Sequence, residues 1–122
     1  MADTRKTGQI GERSAERELR RMGYQIITRN YRTRRGEIDL VAKDGDTLVF
    51  VEVKTRLGGA YGTPEEAITS KKQAHLVSAA RSYLQETGAD NAEWRSDVVI
   101  IQPGKATIHK NAVKEPTDWP LW

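Results

Sequence analysis

Between Gln9 and Met22, apolar side chains return at Ala15, Leu19 and Met22, spacings of four and three that place them on one face of an α-helix, and Gly23 supplies a stop. The period then changes. "YQIITRNY", from Tyr24, is rich in β-branched residues and reads as a strand. Two further strands flank an Asp-Gly turn in "GEIDLVAKDGDTLVFVEVKTR", residues 36–56. These three strands are expected to pair antiparallel. Helical spacing returns in "TPEEAITSKKQAHLVSAARSYLQETG", where Thr63 and Pro64 suit a cap and first position, and Ala67, Ala74, Leu76, Val77, Ala80 and Leu84 form the apolar face. Gly88 ends it, and a break is expected near Thr69 and Ser70. "RSDVVIIQP" is a nearly continuous apolar run, as in a strand covered on both faces, and "KATIHK" is a candidate to pair beside it.

Helix, three strands, helix and one or two strands give an α/β fold class: a single domain over residues 1–122 with a mixed central sheet flanked by helices. Residues 1–7 are expected to be disordered. Residues 111–122 are expected to form a C-terminal tail whose Trp119 and Trp122 either cover the core or dock on a partner. A chain of 122 residues suits one hydrophobic core, and 37% apolar residues with well-spaced clusters exclude wholesale disorder. With no cysteine, neither a disulfide framework nor a thiolate metal site is available. The charged N-terminus lacks a signal-peptide core, and no apolar run reaches the roughly 18 residues of a membrane span, so the expected location is cytoplasmic, with no membrane partner. Lysine and arginine total 20 against 17 acids, an excess that points to an anionic partner where the charges are segregated.

The hairpin carries the chemistry. Alternation puts Glu37, Asp39 and Val41 on one face and Ile38, Leu40 and Ala42 on the other; on the next strand Leu48, Phe50, Glu52 and Lys54 oppose Val49, Val51 and Val53. A connection of even length, such as Asp44-Gly45, makes facing residues sum to an odd number, which brings Asp39 opposite Phe50 or Glu52. One face is then uniformly aliphatic, for the core, and the other ends in Glu37, Asp39, Glu52 and Lys54. Two carboxylates so placed repel each other, and a divalent cation would remove the penalty. Mg²⁺ favours hard oxygen ligands and completes its shell with water and phosphate oxygens, so Asp39, Glu52 and the Val53 carbonyl suit it. Lys54 could then steady charge on a phosphoryl group. Solvated strand-end charges, with Lys54 neutralising Glu52, fit the same spacing. Glu12 falls near the Ala15, Leu19 and Met22 stripe, which either aims it at the sheet or makes it an N-terminal-turn acid favoured by the helix dipole.

An acid on one strand and Glu52-Val53-Lys54 on the next resemble the PD-(D/E)XK nuclease superfamily, with Ile38 where the superfamily's name has proline. More closely, "GERSAERELRRMGYQIITRNYRTRRGEIDLVAKDGDTLVFVEVKTR", with "TPEEAITSKKQ" and "SDVVII", resembles the YraN family of bacterial proteins, itself similar to archaeal Holliday-junction resolvases. The resemblance covers roughly residues 8–101. It implies a restriction-endonuclease-like fold and a Mg²⁺- or Mn²⁺-dependent endonuclease acting on DNA, branched or structured sites included. Residue by residue, it implies Glu12 as the helix acid, Asp39 and Glu52 as metal ligands and Lys54 as the catalytic lysine, with Gln73 auxiliary. An accessory module that binds nucleic acid in repair or recombination without cutting is the alternative, and a scaffold that binds another protein through Trp119 and Trp122 is a third reading.

Arg29, Arg32, Arg34 and Arg35 cluster around Tyr31 just before Glu37, and Arg56, Lys71 and Lys72 extend the basic track. Arginine forks suit phosphate oxygens and give position without reading sequence, although a solvated basic loop has the same composition. Symmetric cutting of a junction would call for a homodimer. His75 and His109 are isolated and read as packed or surface residues.

Overall fold

A computed structural model describes residues 4–56 and 69–113. Helix α1 (Thr4–Arg21) leads into strands β1 (Gln25–Thr33), β2 (Gly36–Asp44) and β3 (Thr47–Thr55); helix α2 (Ser70–Glu86) precedes β4 (Trp94–Gln102) and β5 (Lys105–Val113). The strands form one sheet in sequence order, antiparallel throughout except for the parallel β3–β4 pair. This is the expected mixed sheet, consistent with a restriction-endonuclease-like fold.

Each face of the sheet carries a helix. Ala15 and Leu19 of α1 pack on Leu40, Ala42, Val49, Val51 and Val99, while Ala79, Ala80, Tyr83 and Leu84 of α2 pack on Ile38, Val41, Leu48 and Phe50. Nearer the start of α2, Leu76 and Val77 meet Val98, Ile100 and Val113. Tyr83 also anchors an aromatic chain, edge-on to Tyr31 at 4.8 Å and to Phe50 at 5.3 Å. Near the turn the hairpin therefore has two apolar faces, the second being the one expected to begin apolar and end in charges, and both are covered.

Several boundaries shift. Residues 4–7, expected to be disordered, form the first turn of α1, which has no apolar residue to mark it in the sequence. Met22, placed on the apolar stripe, is 46% exposed because the helix ends one residue before it. Residues 111–113, assigned to the tail, continue β5, and Ala112 and Val113 are buried. Helix α2 starts at the expected break: Thr69 is its N-cap and accepts the Lys72 amide on Oγ1 at 3.1 Å. Thr63, Pro64, Ala67, Trp119 and Trp122 lie outside the described residues. Among the described residues no helix is long and apolar enough to cross a membrane.

The β2–β3 turn is Gly45-Asp46, one residue later than Asp44-Gly45, with Gly45 at φ +61° where a two-residue hairpin wants glycine first. Its even length holds, and facing residues run from Asp44↔Thr47 to Leu40↔Val51. Beyond Leu40 the alternation fails: Ile38 joins Val41 on the α2 face while Leu40 stays on the α1 face. The neighbouring strand breaks in step. Asn30 has φ +49°, and on either side of it Arg29 reaches Glu16 of α1 while Tyr31 packs on Tyr83 of α2. A left-handed residue rotates the strand, a conformation asparagine tolerates better than most.

A second irregularity lies on β4, where the ladder to β5 slips between Ser96 and Val98. There the fully buried Asp97 accepts the amide of Asn111, itself at φ +54°, at 2.8 Å. Arg95 bonds Asp97 at 3.0 Å and Asp44 at 2.8 Å, and the Tyr24 hydroxyl donates to Asp97 at 3.2 Å. Burial, followed by the Asp97 charge, lifts the Tyr24 hydroxyl to about 12, and Arg95 holds Asp44 below the usual carboxylate range. Such an acid is tolerable in the interior because every partner is present.

Candidate active site at the fork of β2 and β3

The β2–β3 ladder stops at Leu40↔Val51, and the next residues part into a fork. Asp39 sits in it, accepting the Val53 amide on Oδ2 at 2.9 Å, so a carboxylate takes the place of a strand carbonyl. Glu52 lies close enough for its charge to act on the Asp39 carboxyl. Glu52 is 6% exposed and is met by Lys54 Nζ at 3.2 Å and, from the start of α2, by Lys72 Nζ at 3.8 Å.

Helix α1 delivers the third acid. Gly11 is buried where α1 crosses the end of β3: a Cβ there would stand 2.3 Å from Thr55 Oγ1. Glycine thus permits the close approach that lays Glu12 beside the fork. With its amide nitrogen turned toward the acids, Asn30 donates to Glu12 Oε2 at 3.3 Å and to Glu37 Oε1 at 3.2 Å. The left-handed turn at Asn30 thereby ties three elements together.

The electrostatics follow from that crowding. Burial, then the Glu52 charge, raises the Asp39 carboxyl to about 7, with the Val53 amide pulling the other way and Glu12 adding to the rise. Burial also raises Glu12, opposed by the Asn30 hydrogen bond and reinforced by Glu37 and Glu52. Among the described residues no cation bonds Asp39, while Glu52 already has two lysines.

Among the described residues no group of three or more His, Cys, Asp or Glu side chains is arranged as a metal cage. The donor set fits a hard cation in another way, because Mg²⁺ takes one or two carboxylates and fills its shell with water and phosphate oxygen. Asp39, Glu52 and the Val53 carbonyl are the residues that would hold it.

The structure brings Glu12, Glu37, Asp39, Glu52, Lys54 and Lys72 together, with the Val53 amide bonded to Asp39. Arg32, Arg34 and Arg35 are exposed at the β1–β2 turn, the end of the sheet where Glu37 lies, and Lys71 is exposed beside Lys72. Arg29 lies apart from that turn: its Nε donates to Glu16 Oε2 at 2.7 Å, an ion pair that holds Glu16 below the usual carboxylate range. Arg56 donates its backbone amide to Ile101 at 2.8 Å, and Gln73 follows on α2, half-buried. The sequence reading missed Asn30, whose only signal is an asparagine inside a β-branched run, and Gly11, visible only as the glycine before the helix acid.

Comparison with known proteins is consistent along most of the chain. A UPF0102 protein of Symbiobacterium thermophilum is 52% identical over 101 residues, covering 83% of this chain and 86% of that protein. One from Desulfosudis oleivorans is 53% identical over 95 residues, covering 78% and 77%, and one from Dehalococcoides mccartyi is 43% identical over 120 residues, covering 94% and 99%. The family model described as uncharacterised protein family UPF0102 matches residues 11–101, from Gly11 through the fork to the end of the buried run of β4. The chain belongs to this family, the YraN family that its motifs resemble.

Proposed function

We propose that the fork is the active site of a metal-dependent endonuclease that hydrolyses phosphodiester bonds in DNA, with branched or structured DNA as the preferred form. The observation that carries this reading is the pairing of Asp39 with Glu52: two carboxylates held in one fork, the first raised to about 7 chiefly by burial and then by the second. Such a pair is costly alone and suited to a divalent cation. Mg²⁺ or Mn²⁺ bound there would act as a Lewis acid on the phosphoryl oxygen and lower the pKa of the attacking water.

The chain's residues supply the rest. Asp39 is oriented by the Val53 amide, and Glu52 by Lys54. Lys54, once drawn from Glu52 toward the substrate, neutralises charge building on the phosphoryl oxygens. Water adds to phosphorus, the bond from phosphorus to the leaving oxygen breaks, and the leaving oxygen takes a proton from solvent. Glu12, with its raised pKa, can accept the proton that the water gives up.

One observation favours a second reading. Glu52 already carries two lysine contacts, an arrangement that lets the fork stand without metal as part of an accessory module that binds DNA and leaves it intact. Purified protein incubated with labelled linear, flap and four-way DNA, with Mg²⁺ or Mn²⁺, separates the two. Cleavage abolished by Asp39→Asn and by Lys54→Ala is expected; cleavage surviving both would overturn the site. Salt-dependent binding with no cleavage on any substrate favours the accessory module.

A further inference from the structure

A groove between α1 and β1 leads out of the fork. Its inner recess, about 310 Å³, has Glu12 and Asn30 in its wall together with Gln9, Arg13 and Leu40. It shares Arg13, Glu16 and Arg29 with an outer recess of about 390 Å³ that adds Arg17 and Arg20. Arg13, Arg17 and Arg20 recur at i, i+4 and i+7, so they form one line along α1, about 10 Å long at a rise of 1.5 Å per residue. All three are exposed. The single acid in the outer recess, Glu16, is already bonded by Arg20 and Arg29, and Arg13 and Arg17 have no partner among the described residues.

We propose that this groove holds a single-stranded nucleic-acid segment next to the phosphodiester at the fork, with Arg13 and Arg17 on its phosphates. The proposal rests on reading the fork as a phosphodiesterase site and adds the path and form of the substrate. Guanidinium forks in single file match a line of phosphates. The inner recess changes character: the Gln9 amide and the Asn30 carbonyl oxygen suit a sugar and a base edge better than a phosphate. Each recess has the volume of a small-ligand pocket, about 300–1,000 Å³, enough for a nucleotide unit. The groove leaves the fork on the α1 side, away from Lys71 and Lys72 of α2, so a strand lying in it parts from whatever those lysines hold.

Fluorescence polarisation in EDTA tests this with labelled single-stranded DNA, single-stranded RNA and duplex DNA of equal length. The Arg13→Ala, Arg17→Ala double variant is expected to lose roughly tenfold or more in affinity for a single strand and to flatten the salt slope by about 1.4, two contacts at about 0.7 each. Duplex binding should change less, and Lys43→Ala, an exposed cation at the turn end of β2, should change neither. Arg17→Glu alone is a second variant should the double one melt early. The larger loss with DNA or with RNA identifies the sugar. Unchanged single-strand affinity and slope, or equal losses on single strand and duplex, would overturn the proposal. Because no metal is present, a strand bound through Arg13 and Arg17 but never cut with Mn²⁺ overturns the catalytic reading alone.

Discussion

Asp39 accepts the backbone amide of Val53 at 2.9 Å, and with that one bond a side chain ends the β2–β3 ladder. A ladder carbonyl would have satisfied the amide equally well without bringing charge. The carboxylate brings charge to a place that burial and Glu52 make unfavourable for it, and the strand holds it there.

In metal-free protein this placement sets a pH dependence. The folded-state pKa of Asp39, about 7, lies above its ordinary value of 3.8. Its contribution to stability is therefore complete below the ordinary value and is lost as pH rises through 7. Asp39→Asn should be the more stable protein at pH 8, by an amount on the order of 1–3 kcal/mol, with the difference shrinking toward pH 4. Urea denaturation in EDTA across that range checks it; parallel stability curves for the two proteins would contradict it.

Metal binding should show the reverse dependence. Mn²⁺ must displace the Asp39 proton, so its affinity should rise about tenfold per pH unit below 7 and level off above. Titration calorimetry in buffers of different ionisation enthalpy should count close to one proton released. Lys72→Met removes one of the two cations beside Glu52 and should tighten Mn²⁺ several-fold. Weaker binding in that variant would mean that Lys72 orients Glu52 and does not compete for it.

Gly11→Ala should push α1 away from β3, since the added carbon would stand 2.3 Å from Thr55 Oγ1. A loss of about 1–3 kcal/mol is expected, as for other overpacked contacts, together with weaker Mn²⁺ binding as Glu12 withdraws. Thr55→Ala removes the offending oxygen. The double variant should therefore recover most of both losses, and additive losses would place the close approach elsewhere.

Arg95→Met leaves Asp97 buried without its cation and Asp44 without its closest one. The expected cost is about 3–5 kcal/mol, as for other broken buried pairs. Mn²⁺ affinity of the folded fraction should not change. A shift there would show the Arg95 network coupled to the fork through the neighbouring strand, where Asp97 pairs with Val51.

Much of this arrangement is legible in the residues. The even turn holds and fixes the facing residues as far as Leu40↔Val51, and Lys54 follows Glu52 by the two-residue period of a strand. What alternation cannot carry is an interruption of itself. Asn30 rotates β1, Ile38 leaves the face of Leu40, and nothing in the apolar pattern of "GEIDL" announces it. The basic stretch misleads for a related reason: Arg29 neighbours Arg32 in sequence, yet the rotation sends it to Glu16 on α1. Asp97 is hidden differently, as one acid in an apolar run whose partners include Tyr24 and Asn111, both distant in sequence.

Asp97 and Asp39 use the same device, each taking a backbone amide from a neighbouring strand where a ladder is interrupted. At β4–β5 the acid also has Arg95, a cation supplied by the strand itself. At β2–β3 no arginine among the described residues bonds Asp39, and an ion from solution would have to serve as one. Occupancy of the fork and cohesion of the sheet then become a single equilibrium. The amide of Val53, locked to Asp39, would register it as slower hydrogen exchange and a displaced resonance whenever the ion arrives.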